Sequence, residues 1–204
     1  MVWLLAVTAG NGRWRPGIGD PDFLGWFTTV AYLVVTGMCG WAWRREVGEQ
    51  KKGVGGLVPG FWLGMMVGMF LLGVNKQLDL QTWLTQEGRD MARSEGWYGD
   101  RRPVQVVFIA VLAAMGVAGV VAVMWWLRGS LRRYRAAVVG IIYLVCFVII
   151  RAASFHHIDR LLHVGLDHVR VNHVLELGGI GFIGWGARGS MRRGDEQVGE
   201  LGGV

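Results

Sequence analysis

All five histidines of this 204-residue chain fall between positions 156 and 173: His156, His157, His163, His168 and His173. Asp159 and Asp167 lie among them, and Glu176 lies just beyond. On a helix over 155–169, His156, Asp159, His163 and Asp167 recur at i, i+3, i+7 and i+11 and share one face. Ile158, Leu161, Leu162, Leu166 and Val169 take the opposite face. Imidazole nitrogens and carboxylate oxygens together suit Zn or non-haem Fe, and an open coordination position would let a metal-bound water hydrolyse a substrate. His156, Asp159 and His163 lead that ligand set, completed by His173 or Glu176. The same stretch suits a b-type haem or quinone site, with His173 opposite an imidazole from the end of the preceding hydrophobic segment. It equally suits the wet face of a surface helix. Periodicity does not separate these readings, and no HExxH signature is present.

Arg151 and Glu176 make a second constellation. Both sit about a turn or more inside apolar segments, where an isolated charge costs roughly 2.5–3.5 kcal/mol at mid-bilayer and less near the interface. Their expected depths are similar, so they should face the bundle interior and either pair with each other or bind Lys76 or Asp79. Asn75 belongs to the same polar group. The arrangement reads either as an ion pair that fixes helix register or as a polar pocket open to the outer side.

The elements that must position these residues follow from composition. Hydrophobic residues make up 52% of the chain and charged residues 18%, mean hydropathy is +0.37, and there are 33 glycines and 11 tryptophans. Uncharged stretches run from Phe23 to Trp43, Gly53 to Asn75 and Pro103 to Leu127. A bilayer needs about 20 such residues per crossing, and a soluble core helix does not. A soluble enzyme, a disordered tail, a collagen and a disulfide scaffold are all excluded. The fold class is all-α: a polytopic transmembrane bundle of five helices, because lipid offers no partner to unpaired backbone groups. The expected spans are about 23–43, 57–74, 104–127, 136–155 and 172–187. Residues 1–22 read as an outer segment, with Met1–Gly10 interfacial or re-entrant, and 188–204 as a flexible inner tail. Amphipathic surface helices are expected in the outer loops, one built on Leu80, Trp83, Leu84 and Met91, the other on the His-rich stretch. Cys39 and Cys146 fall within spans at different depths, and no disulfide is indicated.

Eleven of the 21 Lys and Arg lie in the short segments 44–56, 128–135 and 188–204, against nine spread over the longer alternate segments. That density predicts the N-terminus outside and the C-terminus inside. It also accounts for the net charge of +6 by contact with anionic lipid, without nucleic acid. Gly56, Gly60, Gly64 and Gly68 repeat every four residues, as do Ala110, Ala114, Ala118 and Ala122. Each series makes a smooth stripe that admits a second backbone. The two stripes are expected to satisfy each other within the chain; the other reading is a homodimer or subunit interface.

Three stretches occur together: Asn75-Lys-Gln-Leu-Asp-Leu-Gln81, Gly96-Trp-Tyr98 with Arg101, Arg102 and Gln105, and Ser154-Phe-His-His-Ile-Asp159 with Glu176-Leu-Gly-Gly179. They resemble a group of small bacterial multi-pass membrane proteins, over about residues 57–187. The resemblance implies a bacterial inner-membrane location and carries no activity. Three functions therefore stand open: a non-enzymatic accessory or assembly subunit of a membrane complex, a Zn- or Fe-dependent membrane enzyme, and a haem- or quinone-binding module.

Overall fold

The computed structural model describes residues 23–78, Met91, Ser94, 101–154 and 165–201. Among the described residues five helices are delimited: α1 (Phe23–Lys51), α2 (Pro59–Leu78), α3 (Arg101–Trp126), α4 (Leu131–Ser154) and α5 (Gly165–Leu201). Four of them are long and apolar enough to cross a membrane: α1, α2, Val106–Trp126 of α3 and Leu131–Ala152 of α4. The all-helical class and four of the five expected spans thus follow the sequence pattern; the one expected at about 172–187 is not among the four. Of the expected surface helices, Met91 and Ser94 of the first and 165–169 of the second lie among the described residues; all are helical, and 165–169 form the start of α5.

Helix boundaries are set by local chemistry. α1 runs two turns beyond Trp43 because Glu46 and Glu49 find partners in the bundle, and Arg45 pairs with Glu49 one turn on. It stops at a Schellman motif: Gly53 adopts φ 87°, its N–H donates to the Gln50 carbonyl at 3.0 Å, and Val54 N–H donates to Glu49 at 3.2 Å. Only a residue without Cβ takes that conformation cheaply. Pro59 then opens α2 at the first helical position, where its missing N–H costs nothing. The threonines of α1 return their hydroxyls to the backbone four residues earlier: Thr28 to Leu24 at 2.7 Å, Thr29 to Gly25 at 2.9 Å and Thr36 to Tyr32 at 2.8 Å. The segment expected as a flexible inner tail continues as helix α5 to Leu201, and Ser190 within it is buried against α1.

The bundle is built on α1, α2, α4 and α5, with α3 at the periphery. The core combines Tyr32, Val35 and Cys39 of α1, Phe61, Trp62 and Met69 of α2, Tyr134, Ala137 and Leu144 of α4, and Ile180 and Ile183 of α5. α4 and α5 approach most closely. A Cβ on Gly140 would lie 2.7 Å from the Gly179 carbonyl oxygen and 2.9 Å from the Ile183 nitrogen, and one on Gly186 would lie 3.1 Å from Ala137. Backbones can pack this tightly only where both sides are small.

The expected pairing of the glycine and alanine stripes is not made. Gly56 belongs to the loop, with φ 73°; Gly64 and Gly68 have no neighbour within 4 Å of a built Cβ; and Gly60 meets only the Trp126 ring. Ala110, Ala114, Ala118 and Ala122 are all exposed. The reason is rotational. α3 turns Leu112, Gly116 and Val123 toward α4, where a Cβ on Gly116 would lie 2.8 Å from Val145. At about 100° per residue this puts the alanines on the opposite side of the helix.

Candidate functional site

The bundle contains two buried polar clusters, one toward each end. Helices α1 and α5 run parallel and contribute to both, and the α1–α5 hydrogen bonds at the two ends each join residues 144 apart. Along α1 the clusters are separated by the 14 residues from Tyr32 to Glu46, about 21 Å at 1.5 Å per residue.

The first cluster gathers Tyr32 (α1), Asn75 and Lys76 (α2), Arg151 (α4) and Glu176 (α5) around one small pocket, with Leu72, Phe147 and Val148 completing its wall. Glu176 is 2% exposed. Its Oε1 accepts from the Tyr32 hydroxyl at 3.3 Å, and its Oε2 accepts from Lys76 Nζ at 3.2 Å. Lys76 reaches the carboxylate because α2 runs one turn past the apolar stretch ending at Val74. A buried carboxylate is tolerable only when so paired. The pocket holds about 20 Å³, room for about one water molecule. One turn earlier on α5, His173 is half-buried and has a partner of its own, and Asn172 keeps a buried Oδ1 that meets no hydrogen-bond donor among the described residues.

Of the residues singled out by sequence, the structure therefore brings Asn75, Lys76, Arg151 and Glu176 together. Asp79, His156, Asp159 and His163 lie outside the described residues. Among the described residues, no group of three His, Cys, Asp or Glu side chains is placed to hold a metal ion.

The second cluster centres on Glu46, which is fully buried, and the sequence reading missed it. Trp62 Nε1–H donates to Oε1 at 3.0 Å, the Tyr134 hydroxyl donates to Oε2 at 2.8 Å, and the Ser190 hydroxyl also donates to Oε1. Tyr134 in turn accepts the Val58 N–H at 2.8 Å, so one phenol ties the start of α2 to α1 and α4. Arg133 sits beside both carboxylates, with Nε 3.6 Å from Glu46 and Nη2 3.9 Å from Glu49; Arg45 Nε lies 3.2 Å from Glu49. Phe61, Trp62 and Tyr134 pack around the cluster with ring centroids 5.0–5.8 Å apart. The signal was present in sequence: Glu46 and Glu49 are acidic residues one turn apart in an otherwise basic segment, directly after a tryptophan-flanked apolar run.

No protein family, no curated protein and no solved structure matches this chain.

Proposed function

We propose that this protein has no chemistry of its own and serves as an accessory or assembly subunit of a complex in the bacterial inner membrane. In this reading it crosses five times, with the N-terminus outside and the C-terminus inside, and offers the lateral face of α3 to another membrane helix. One observation carries the reading. No residue in the Val106–Trp126 span is buried, and its alanine series points away from the bundle. Lipid alone gives a helix no reason to present a small-residue stripe, whereas a second helix gains close van der Waals contact from one.

Site-specific photo-crosslinking in intact membranes tests it. A crosslinker at Ala114 or Ala118 should give a discrete protein adduct, and the same group at Val30, exposed on α1, should not. A neighbouring Ala118→Phe substitution should abolish the adduct formed at position 114. An adduct of twice the chain mass would identify the partner as a second copy, and any other mass a different subunit. Lipid adducts alone at both alanines would end the proposal.

A further inference from the structure

Beside the Glu46 cluster, a cavity of about 680 Å³ opens between the α1–α2 loop at Gly55 and Gly56 and the turn Arg128–Arg133 that leads from α3 into α4. That turn joins two apolar spans, and Trp125 and Trp126 are exposed just before it, as side chains at the headgroup level are. The two walls are tied together. Ser130 Oγ donates to the Gly56 carbonyl at 2.9 Å, and Val58 N–H donates to the Tyr134 hydroxyl at 2.8 Å. The opening is therefore held by the fold. Gly55 and Gly129 leave part of its lining bare, since a Cβ on either would meet nothing within 4 Å.

We propose that this cavity binds a phosphate group, held by Arg132, Arg133 and the opening turn of α4 and flanked by Arg128. Three observations carry the assignment. The first is Arg133. Its side chain is only 19% exposed, yet Nε and Nη2 stand 3.6 and 3.9 Å from Glu46 and Glu49, close enough to pair and too far for hydrogen bonds. Nε is buried and meets no hydrogen-bond acceptor among the described residues. A guanidinium that served only as a topology signal would be solvated. This one is anchored beside two carboxylates, lines the cavity, and keeps donors for a third acceptor.

The second is the helix end. Arg132 and Arg133 occupy the first turn of α4, which holds no acidic residue. The helix dipole disfavours cations there and favours an anion, and the first N–H groups have no intrahelical acceptor. Ser130, immediately before the helix, gives its hydroxyl proton to Gly56. A phosphate presents oxygens both to such N–H groups and to guanidinium forks, which match it bidentately.

The third is that the two remaining arginines are not committed to a carboxylate. Arg128 and Arg132 are exposed, and no acidic side chain lines the cavity among the described residues. Arg128 lies over the Trp125 ring, 5.2 Å from its centroid, a ring contact and not an ion pair. None of the α3 alanines lines this cavity, so the site stands or falls apart from the subunit reading.

Thermal unfolding and titration calorimetry of the full-length protein in a neutral detergent provide the test. Sodium phosphate is compared with sodium chloride at equal ionic strength, and phosphatidylglycerol with phosphatidylcholine in mixed micelles. A phosphate probe should bind saturably and raise the melting temperature more than its control does. Binding of inorganic phosphate assigns a water-soluble ligand, and binding of phosphatidylglycerol alone assigns a lipid headgroup. Arg132→Gln should weaken whichever probe binds about tenfold, as the loss of one charge-assisted contact predicts. Arg135→Gln removes the same charge from an exposed position outside the cavity and should leave the affinity within about twofold. Equal losses in the two variants would reduce the effect to diffuse surface charge and overturn the site. Absence of binding by either probe would overturn it as well. So would binding that appears only in the Asp195→Asn/Glu196→Gln variant, because the chain's own carboxylates would then hold the arginines.

Discussion

Glu46 shows what a single buried carboxylate costs and what it secures. It receives three hydrogen bonds, from Trp62, Tyr134 and Ser190, which come from α2, α4 and α5. Truncation to alanine strands those donors and leaves Arg133 beside Glu49 alone. The Glu46→Ala variant should therefore lose about 3–5 kcal/mol, as when one partner of a buried charged network is removed. Unfolding in mixed micelles would measure it, and a loss below about 1 kcal/mol would show that the cluster is not cooperative. At the other end, Lys76→Met alone should be strongly destabilising because Glu176 keeps a buried charge. The double variant Lys76→Met/Glu176→Leu should recover to within about 1 kcal/mol of wild type, since apolar replacement of a whole buried pair is often neutral. A double variant as unstable as the single one would mean that Arg151 and Tyr32 need the carboxylate independently. The Glu176 constellation was legible in sequence because charges inside apolar runs are conspicuous. Glu46 was harder to read, because its signal, a pair of acids one turn apart, follows Arg44 and Arg45 and so resembles a solvated loop; only the extra turns of α1 carry it into the core.

At the scale of elements, small residues were conspicuous in sequence, but their facing was not. A four-residue repeat of glycine or alanine identifies a smooth stripe without saying what lies against it. The backbone contacts are made instead by Gly140, Gly179 and Gly186, whose spacing on α4 and α5 forms no such repeat. Gly140→Ala should force the two helices apart at a carbonyl and an amide that cannot swing away. The expected loss is about 1–3 kcal/mol, the range for overpacking. Gly64→Ala is the matched control, because nothing lies within 4 Å of its built Cβ, and it should be neutral or slightly stabilising. Both substitutions can be read from the same micellar unfolding curves. Equal effects would show that helix propensity, and not the α4–α5 contact, governs both.

At the scale of the whole molecule, the question is whether α5, which carries Glu176 and Ser190, makes the fifth crossing that the proposed topology requires. The sequence limited its apolar stretch to about 172–187, and by length and composition α5 is not among the four apolar spans. Its environment explains the difference. α5 lies against α1 and α4, so Ile180, Ile183, Gly184, Gly186 and Ala187 are enclosed by protein and its polar groups by partners. Val174, Gly181 and Trp185 are exposed on a stripe at seven- and four-residue spacing, the narrow face a mostly enclosed helix would turn to lipid. A helix shielded this way need not be apolar all round to cross, so its composition is compatible with the proposed fifth span. Because α5 runs parallel to α1, Arg192 should emerge on the opposite side of the membrane from Phe23. Single cysteines at these two positions, with Cys39 and Cys146 replaced by alanine, should differ in intact cells toward an impermeant maleimide. Position 23 should react directly, and position 192 only after permeabilisation. Reaction of both from outside would remove the fifth crossing and, with it, the proposed placement of the two termini on opposite sides of the membrane.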